Sequence, residues 1–600
     1  MGGTGLAFAL PGCAARMTEP MAAATAAGQS VPQLLDDMAW RLLELSPGGA
    51  TALGVDTGEH AYLRSRLGDA SAEGQNEMAA LLRADLARAE AIDTAPLDPA
   101  TRTSVEVVKT AYRTALDGFA LPYGDVSVGG WRNAPYVVIQ NVGGYLDYPR
   151  FMDSTHPVRD AADAEAYISR LKEIPANLEG ERERIAAARE MGLVPPDFLL
   201  DKAITQIRAT LQDAMEGGAL VTALTSRTKE IPGDWETRAR SIVTSQIAPA
   251  LERQMAELMR ERQVATSAPG MNARPYGDEF YAWSLRAATT TDLDPAEVNR
   301  RGLAELDALH ARMEPILQEL GFTKGTVGER MAGLSDDPRF KFADGDPGRA
   351  QIMEFIQERV DWIKAQMPRA FLRLAPGNLE VKRLPLSEEP GAPTAYGGAG
   401  SIDGSIPGRM WINLRTTDLH RKYDLPTLVH HETIPGHVWE GEYSNQLPLI
   451  RSLLSFSAFS EGWALYGEQL ADELGAYDDD PVGRLGYLQS LAFRACRMVV
   501  DTGLHARGWS REQAIRFFME RNGNKREEVA NEVDRYCSWP GQACGYKMGH
   551  SEIVRLRAKA KTALGEAYDL RAFNQAVVDG GNVPLDVLGG NIDRYIAASS

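Results

Sequence analysis

The sequence predicts a mainly α-helical protein that carries one small strand-containing insert. Three observations lead to this fold class. The chain has 600 residues, of which 44% are hydrophobic and 24% charged, values typical of a globular protein with an extensive core. Helical periodicity of apolar residues dominates from about residue 31 onward. Proline and glycine are concentrated in short breaks between the periodic segments, where helices are expected to end.

One segment illustrates the helical pattern. Five apolar residues there share one helix face: Tyr167, Leu171, Ile174, Leu178 and Ile185. Gly192 supplies a stop after this helix, and Pro175 is expected to kink it. Similar patterns predict further helices at about residues 32–46, 75–95, 101–119, 235–264, 295–320 and 348–372.

The largest interruption of the helical pattern runs from Pro376 to Gly408. It contains five prolines and seven glycines around a strand-like piece, Leu379–Leu384, and a second such piece follows at Met410–Leu414. We interpret this region as a loop-and-strand insert. The alternative is an ordinary solvent-exposed linker.

These features predict one domain over residues 31–600, preceded by a leader at residues 1–30. A helical N-terminal half spans about 31–375, the insert spans about 376–414, and a helical C-terminal half at about 415–600 carries the candidate chemistry.

The leader contains a candidate lipid-attachment site. Leu10-Pro11-Gly12-Cys13 follows a short apolar run and resembles the lipobox at which bacterial lipoproteins are cleaved and acylated. No Lys or Arg precedes the run and the run is short, which indicates a true start upstream of Met1. We therefore expect a periplasmic or envelope-anchored protein with membrane attachment through an acylated Cys13. The alternative is an accidental match on a cytoplasmic protein.

Composition excludes several classes of function. The chain has 64 Lys and Arg against 82 Asp and Glu, a formal charge of −18, which opposes nucleic-acid binding. No run of about 18 apolar residues is present, so no membrane-spanning helix is expected. The four cysteines lack zinc-knuckle spacing and are too few for a disulfide framework.

The histidines are unevenly distributed. Four of the nine lie within 18 positions: His420, His430, His431 and His437. Residues 430–437 read HHETIPGH, close to the H-E-x-x-H pattern in which two histidines on one helix face bind zinc and the Glu acts as base. Glu432 is the corresponding base here.

The spacing of these histidines departs from that pattern. His431 and His437 are six apart, which on a regular helix places them roughly 120° and about 9 Å from each other. Pro435-Gly436 is the expected point of distortion that re-aims His437 toward the ion. Two alternatives stay open: a pair formed by His430 and His437, and a histidine-rich helix that binds no metal.

A third metal ligand is expected downstream at Glu461. This residue is the one carboxylate in the apolar and aromatic run 456–466, where burial requires a cationic partner. It follows His437 by 24 residues, a separation that suits two adjacent antiparallel helices sharing one ion. The alternative partner is an arginine in a salt bridge.

Further polar residues of the C-terminal half are candidates for the same site. Asp501 and His505 are four apart, so the carboxylate could hydrogen-bond to the imidazole and orient it behind the metal site. Tyr546 could donate to a developing oxyanion. Arg535 and Lys547 could bind a substrate carboxylate. For each of these residues, the alternative to a role in the site is an ordinary solvated or structural side chain.

Together these residues resemble the bacterial domain-of-unknown-function 885 family. The matching pieces are His431–His437, Ser460–Tyr466, Val500–His505 with Gly508-Trp509, and Pro540-Gly541-Gln542 with Gly545-Tyr546-Lys547, with weaker similarity at Tyr145–Pro157. The family motif H-E-x-x-P-G-H is similar to the H-E-x-x-H of helical zinc peptidases. The resemblance therefore implies a large multi-helix, metallopeptidase-like fold with a central cleft.

The resulting hypothesis is a zinc-dependent hydrolase acting on a peptide or small amide substrate. His431, His437 and Glu461 would hold the zinc, Glu432 would be the general base, and Tyr546 and His505 would stabilise the oxyanion. One rival is a non-catalytic envelope lipoprotein that binds a peptide or other ligand in a helical cleft. Another is a hydrolase that uses Glu432 and His437 as an acid/base pair without metal.

Overall fold

The computed structural model of the protein describes residues 29–129, 131–386, 389, 393–400 and 406–599. The candidate acylation site Cys13 lies outside the described residues. Within them, no helix is both long enough and apolar enough to span a membrane.

The described chain is mainly helical, as the periodicity predicts. Its α-helices are, in order, α1 Val31–Leu45, α2 Pro47–Leu53, α3 Ala72–Glu90, α4 Pro99–Phe119, α5 Gly144–Ser154, α6 Ala161–Glu190, α7 Asp197–Met215, α8 Ala219–Thr225, α9 Trp235–Ile242, α10 Ala248–Val264, α11 Gly277–Thr289, α12 Pro295–Glu319, α13 Val327–Asp336, α14 Gly345–Gln366, α15 Leu425–Glu432, α16 His437–Ser444, α17 Leu449–Leu453, α18 Ser457–Glu473, α19 Pro481–Ala506, α20 Arg511–Asn522, α21 Arg526–Ser538, α22 Gln542–Leu564, α23 Leu570–Asp579 and α24 Leu585–Ser599.

Local sequence explains where many of these helices begin. Ser30 caps α1 with a capping box, and Asp98 accepts hydrogen bonds from the first turn of α4, which also begins with proline. The helix predicted at 235–264 is divided into α9 and α10 by a π-helical turn, Val243–Ile247. Pro175 lies inside α6, which continues as one helix of 30 residues.

The predicted insert forms a three-stranded mixed sheet, β1 Leu379–Arg383, β2 Ala395–Gly398 and β3 Gly408–Ile412. β3 is central, parallel to β1 and antiparallel to β2. The sheet buries Met410 and Ile412 against Leu425 and Val429 of α15. The interpretation of this region as a solvent-exposed linker is therefore wrong, and β2 is a strand that the sequence did not predict.

Helix α18 lies in the core and organises the candidate site. Every residue from Ser457 to Glu468 is buried, as expected of a helix that is apolar nearly all round. It packs closely against α22, where a Cβ atom on Gly462 would come within 2.5 Å of the backbone of Gly549. Helices α15 and α16 pack against α18 as well, so the two halves of the histidine motif face it.

Candidate metal centre

The helix breaks inside the histidine motif, at the place where the Pro-Gly pair predicts a distortion. Helix α15 ends at Glu432 and α16 begins at His437, with a turn between them whose Ile434–Pro435 peptide bond is cis. Gly436 is required in this turn because a Cβ atom there would lie 1.8 Å from the carbonyl oxygen of His431.

Neighbouring side chains hold the turn in place. The backbone N–H of Trp439 donates to the carbonyl oxygen of Thr433 at 3.2 Å. The indole Nε1 of Trp463 on α18 donates to the carbonyl oxygen of Pro435 at 2.8 Å. The turn is therefore tied to α18, the helix that carries Glu461.

This arrangement brings His431, His437 and Glu461 together. Their ligand atoms all lie within 4.8 Å of one another. The Nε2 atoms of both histidines are 3.4 Å from the same carboxylate oxygen of Glu461, and the two imidazole rings are perpendicular with centroids 4.9 Å apart. Among the described residues, Glu461 forms ion pairs with the two histidines and with no arginine. The alternative of a salt bridge to an arginine is therefore wrong.

Each histidine has a partner for its other ring nitrogen. Nδ1 of His431 lies 2.8 Å from Glu468, whose second oxygen accepts a hydrogen bond from the hydroxyl of Thr427 at 2.6 Å. Nδ1 of His437 lies 3.3 Å from the hydroxyl of Ser460. Because a carboxylate only accepts, the contact with Glu468 places a proton on Nδ1 of His431 and leaves its Nε2 available as a metal ligand, while the Ser460 hydroxyl can either donate to or accept from Nδ1 of His437.

The electrostatics of the cluster favour positive charge. Burial by itself would lower the pKa of His431, but its contacts with Glu461 and Glu468 raise it to about 9. Burial would likewise raise the pKa of Glu461, yet the two histidines hold it well below its usual range. Two buried carboxylates therefore stabilise a cation at this point.

Two of the three separations between the ligand atoms suit a zinc ion. A tetrahedral zinc ion with bonds of about 2 Å holds its ligand atoms about 3.3 Å apart, close to the 3.4 Å separations around Glu461. The same separations exceed the usual length of an N–H···O hydrogen bond, about 2.7–3.2 Å. Two imidazoles and one carboxylate also form a donor set that zinc hydrolases use.

Glu432, the predicted base, is the last residue of α15 and directly follows His431. Its side chain is 8% exposed, and its carboxylate acts electrostatically on the His431 ring. Strand β2 runs past this residue, since a Cβ atom on Gly397 would lie 2.1 Å from the carbonyl oxygen of Glu432. Glu432 is therefore held beside the triad at the edge of the sheet.

His430 points elsewhere. Its ring packs against Trp362 with centroids 6.4 Å apart, it is fully buried, and burial lowers its pKa to about 4. The structure thus pairs His437 with His431, and the alternative pairing of His430 with His437 is wrong. His420, the remaining member of the cluster, contacts the carbonyl oxygen of Asn413 through Nε2.

The predicted contact between Asp501 and His505 is wrong. Asp501 accepts hydrogen bonds from the Tyr281 hydroxyl at 2.7 Å and from the backbone N–H of Gly541 at 3.1 Å. His505 accepts from the backbone N–H of Met271 through Nδ1, and its Nε2 lies 3.1 Å from the carbonyl oxygen of Tyr536.

Both ring nitrogens of His505 are therefore used inside the core, where burial lowers its pKa to about 3. These contacts give the His505 ring a structural role and leave no ring nitrogen to donate to an oxyanion. Asp501 links α19 to α11 and α22 and does not orient a catalytic imidazole.

Tyr546 is on a helix that packs closely against α18. It is on α22 between Gly545 and Gly549, whose backbones pack against Ala458 and Gly462 of α18, one residue from Glu461. The side chain is half-buried, and its ring faces the guanidinium of Arg497 at 4.3 Å. Its role as a hydrogen-bond donor to an oxyanion stays a prediction.

The two predicted substrate-binding cations already have protein partners. Lys547 is 3% exposed, and its Nζ lies 3.1 Å from Glu305. Arg535 pairs with Glu532 at 2.9 Å and donates to Gln542 at 2.8 Å. The charge of Lys547 is thereby neutralised inside the helix bundle, so its predicted contact with substrate is not supported by its surroundings.

Sequence reasoning missed two kinds of residue. Glu468 is seven residues after Glu461, so both carboxylates lie on one face of an apolar helix. This spacing could have been recognised in the sequence. Arg132 and Arg497 lie near the triad but come from a loop and from α19, and no local pattern marks them.

Comparisons with known proteins agree with this fold. A crystal structure of a candidate lipoprotein from Colwellia psychrerythraea is 31% identical with a TM-score of 0.88, and the match covers 95% of this chain and 100% of that one. A candidate lipoprotein of unknown function from Shewanella oneidensis is 18% identical with a TM-score of 0.71, covering 94% and 99%, and shows the same fold.

Curated proteins include no match to this chain. The model of one family, described as bacterial protein of unknown function (DUF885), matches residues 47–592. The chain therefore belongs to the DUF885 family.

Proposed function

We propose that this protein is a zinc-dependent hydrolase of peptide or related amide bonds. The observation that carries the proposal is the convergence of His431 and His437 on one carboxylate oxygen of Glu461, each at 3.4 Å. The acidic residue that follows His431 supports it further, because a base beside two zinc-binding imidazoles is the arrangement used for hydrolysis.

The ligands and their supporting contacts have distinct tasks. His431, His437 and Glu461 would hold the ion, while Glu468 and Ser460 keep the imidazole rings in the ligating orientation. A zinc ion bound there would supply Lewis acidity that polarises the scissile carbonyl and makes water a better nucleophile.

Two side chains would handle protons and charge. Glu432 would accept a proton from the attacking water and return it to the leaving amine, which requires the carboxylate to be ionised at the start. The hydroxyl of Tyr546 would donate a hydrogen bond to the oxygen that becomes negative in the transition state. The buried surroundings of Glu432 strengthen its interactions by lowering the local dielectric.

The location of the enzyme is proposed from its relatives. The 31% identical protein from Colwellia psychrerythraea is described as a candidate lipoprotein, and the Leu-Pro-Gly-Cys sequence ending at Cys13 resembles a lipobox. We therefore place the protein in the cell envelope, attached through an acylated Cys13. Labelling of cells with a palmitate analogue tests this, since the Cys13→Ser variant should lose the label.

The catalytic proposal is tested with two measurements on the same preparations. Elemental analysis should find about one zinc per chain in the unaltered protein and in Glu432→Gln. Cleavage of a peptide library, with products identified by mass, should fall by roughly 10²–10⁴ in Glu432→Gln. Glu354→Gln, which changes an exposed carboxylate on α14, is the control and should keep full activity.

The outcomes separate the proposal from its rivals. Absence of zinc even after incubation with the metal, together with absence of cleavage, would favour a non-catalytic ligand-binding lipoprotein. Cleavage that resists chelators would favour the metal-free acid/base pair of Glu432 and His437. Full activity in Glu432→Gln would remove this residue from the mechanism.

A further inference from the structure

We propose that an arginine pocket beside the triad binds a carboxylate group of the substrate. The arginine pocket comprises Arg132, Arg497, Arg535, Glu532 and Tyr546. As a substrate subsite it rests on the proposed hydrolase function, whereas carboxylate binding itself can be measured without catalysis.

Arg497 supplies the buried donor of the pocket. Its side chain is on α19, is 9% exposed, and stacks on the Tyr546 ring at 4.3 Å. Nη2 pairs with Glu532 at 2.9 Å, and Nε donates to the Tyr536 hydroxyl at 3.2 Å. Nη1 is buried and has no hydrogen-bond partner among the described residues. A buried hydrogen-bond donor without a partner costs free energy. A ligand that accepts a hydrogen bond from Nη1 removes this cost and binds more tightly as a result.

Arg132 supplies a second free guanidinium. It lies in the loop between α4 and α5, with its Cζ atom 4.5 Å above the Trp539 ring. Within the described chain it makes no ion pair or hydrogen bond. The side chain is exposed, yet desolvation by the surrounding protein still lowers its pKa.

The pocket carries excess positive charge next to the triad. Glu532 pairs directly with both Arg497 and Arg535, so the pocket as defined holds three guanidinium groups and one carboxylate, while Asp147 and Glu528 act electrostatically on Arg132 and Arg497 from outside it. This local excess contrasts with the formal charge of −18 of the whole chain. The carboxylate of Glu461 acts electrostatically on both Arg132 and Arg497, which places the pocket within electrostatic range of the candidate zinc ligands.

The chemistry of the free groups specifies the ligand. A guanidinium presents parallel N–H donors that match the two oxygens of a carboxylate, and such pairs are stronger than neutral hydrogen bonds. Arg535 is already engaged with Glu532 and Gln542, so recognition falls to Arg132 and Arg497. Two sources could supply the carboxylate: the C-terminus of a peptide or an acidic side chain.

A binding experiment tests the proposal with three peptides on the Glu432→Gln protein, which should not cleave them. The probes are acetyl-Ala-Ala-Ala with a free carboxylate, the same peptide as its amide, and acetyl-Ala-Ala-Glu as its amide. We expect the free acid to bind about tenfold more tightly than the Ala amide in calorimetry, before and after chelator treatment. Persistence after chelation separates the arginine pocket from a metal that also attracts carboxylates.

Variants test whether the arginine pocket causes the preference for the free carboxylate. Arg132→Gln should reduce the acid-to-amide ratio to about one, and because Arg132 is exposed this variant should fold normally. Arg497→Lys keeps the charge but removes the unpartnered Nη1 donor, and should reduce the ratio as well. Arg83→Gln, which alters an exposed arginine on α3, is the control and should keep the preference.

The results decide the proposal in each case. Tight binding of the Glu-containing amide would identify an acidic side chain as an accepted source, and weak binding of it would identify the C-terminal carboxylate. Equal affinity for all three peptides, including no binding of any of them, would overturn the proposal, as would an unchanged preference in Arg132→Gln. A preference retained in a protein that binds no zinc and cleaves nothing would leave the pocket in place and refute only the hydrolase function.

Discussion

Glu468 lies 2.8 Å from Nδ1 of His431, on the side of the imidazole ring opposite the nitrogen that faces Glu461. One histidine is thus held between two carboxylates of the same helix, spaced seven residues apart. Glu468 orients the imidazole ring and increases its basicity, and Glu461 is a further ligand of the candidate ion.

Replacement of Glu468 should weaken zinc binding without removing a ligand. Glu468→Gln keeps the shape of the side chain but loses its negative charge, so zinc affinity should fall about 10- to 100-fold. Competition with a chromophoric chelator measures the change. Glu473→Gln, on the same helix but partly exposed, is the control. Equal zinc affinity in Glu468→Gln and the unaltered protein would contradict this account.

Gly436→Ala should disturb both the fold and the metal centre. The new Cβ atom would meet the carbonyl oxygen of His431 at 1.8 Å, so the turn must move, at a cost of about 1–3 kcal/mol in unfolding free energy. The movement should displace His437 and weaken zinc binding. Gly398→Ala on β2 has open space at the same atom and serves as control. Thermal unfolding and zinc titration measure the two effects, and wild-type values for Gly436→Ala would refute the close contact.

The neighbouring histidines 430 and 431 should respond oppositely to the same substitution. His430→Phe replaces a buried ring, packed against Trp362, by an apolar ring of similar size, so zinc stoichiometry should remain near one. His431→Phe removes a ligand atom and should abolish stoichiometric zinc. Elemental analysis of both variants provides the measurement. Loss of zinc in His430→Phe with an intact fold would favour the other histidine as ligand.

The buried carboxyl group of Asp501 predicts a pH dependence of stability. Burial raises the pKa of Asp501 to about 7, although hydrogen bonds from Tyr281 and Gly541 act in the opposite direction. Between about pH 4 and pH 7 the unfolded chain has released a proton that the folded protein retains. The contribution of Asp501 to stability is therefore complete below about pH 4 and declines as the pH rises toward 7.

Asp501→Asn removes this titration because the amide stays neutral. Relative to the unaltered protein, the unfolding free energy of the variant should increase by roughly 1–4 kcal/mol on going from about pH 4 to pH 7. Thermal midpoints measured across this range test the change. Asp36→Asn, at an exposed position on α1, is the control. Parallel pH profiles for Asp501→Asn and the unaltered protein would contradict the prediction.

Local patterns were sufficient for much of the fold. The helices follow from apolar spacing and from caps such as Ser30 and Asp98, because both signals involve residues within a few positions of each other. The helix break at Pro435-Gly436 could also be predicted from local sequence, because proline and glycine change the backbone conformation at their own positions. Strand β2 was missed because its four residues include two glycines and no β-branched residue, so the segment carries no local strand signal.

Amino-acid order alone therefore identified the helical architecture and the three residues of the candidate metal centre, because residue type and helical spacing carry that information. Folding in three dimensions decided which groups these residues meet. Asp501 and His505 have the spacing of an interacting pair, yet Tyr281, Met271 and other distant partners bind them instead. The same long-range packing placed Glu468 behind His431 and brought Arg132 and Arg497 to the site, since contacts between separate helices depend on how the whole core packs.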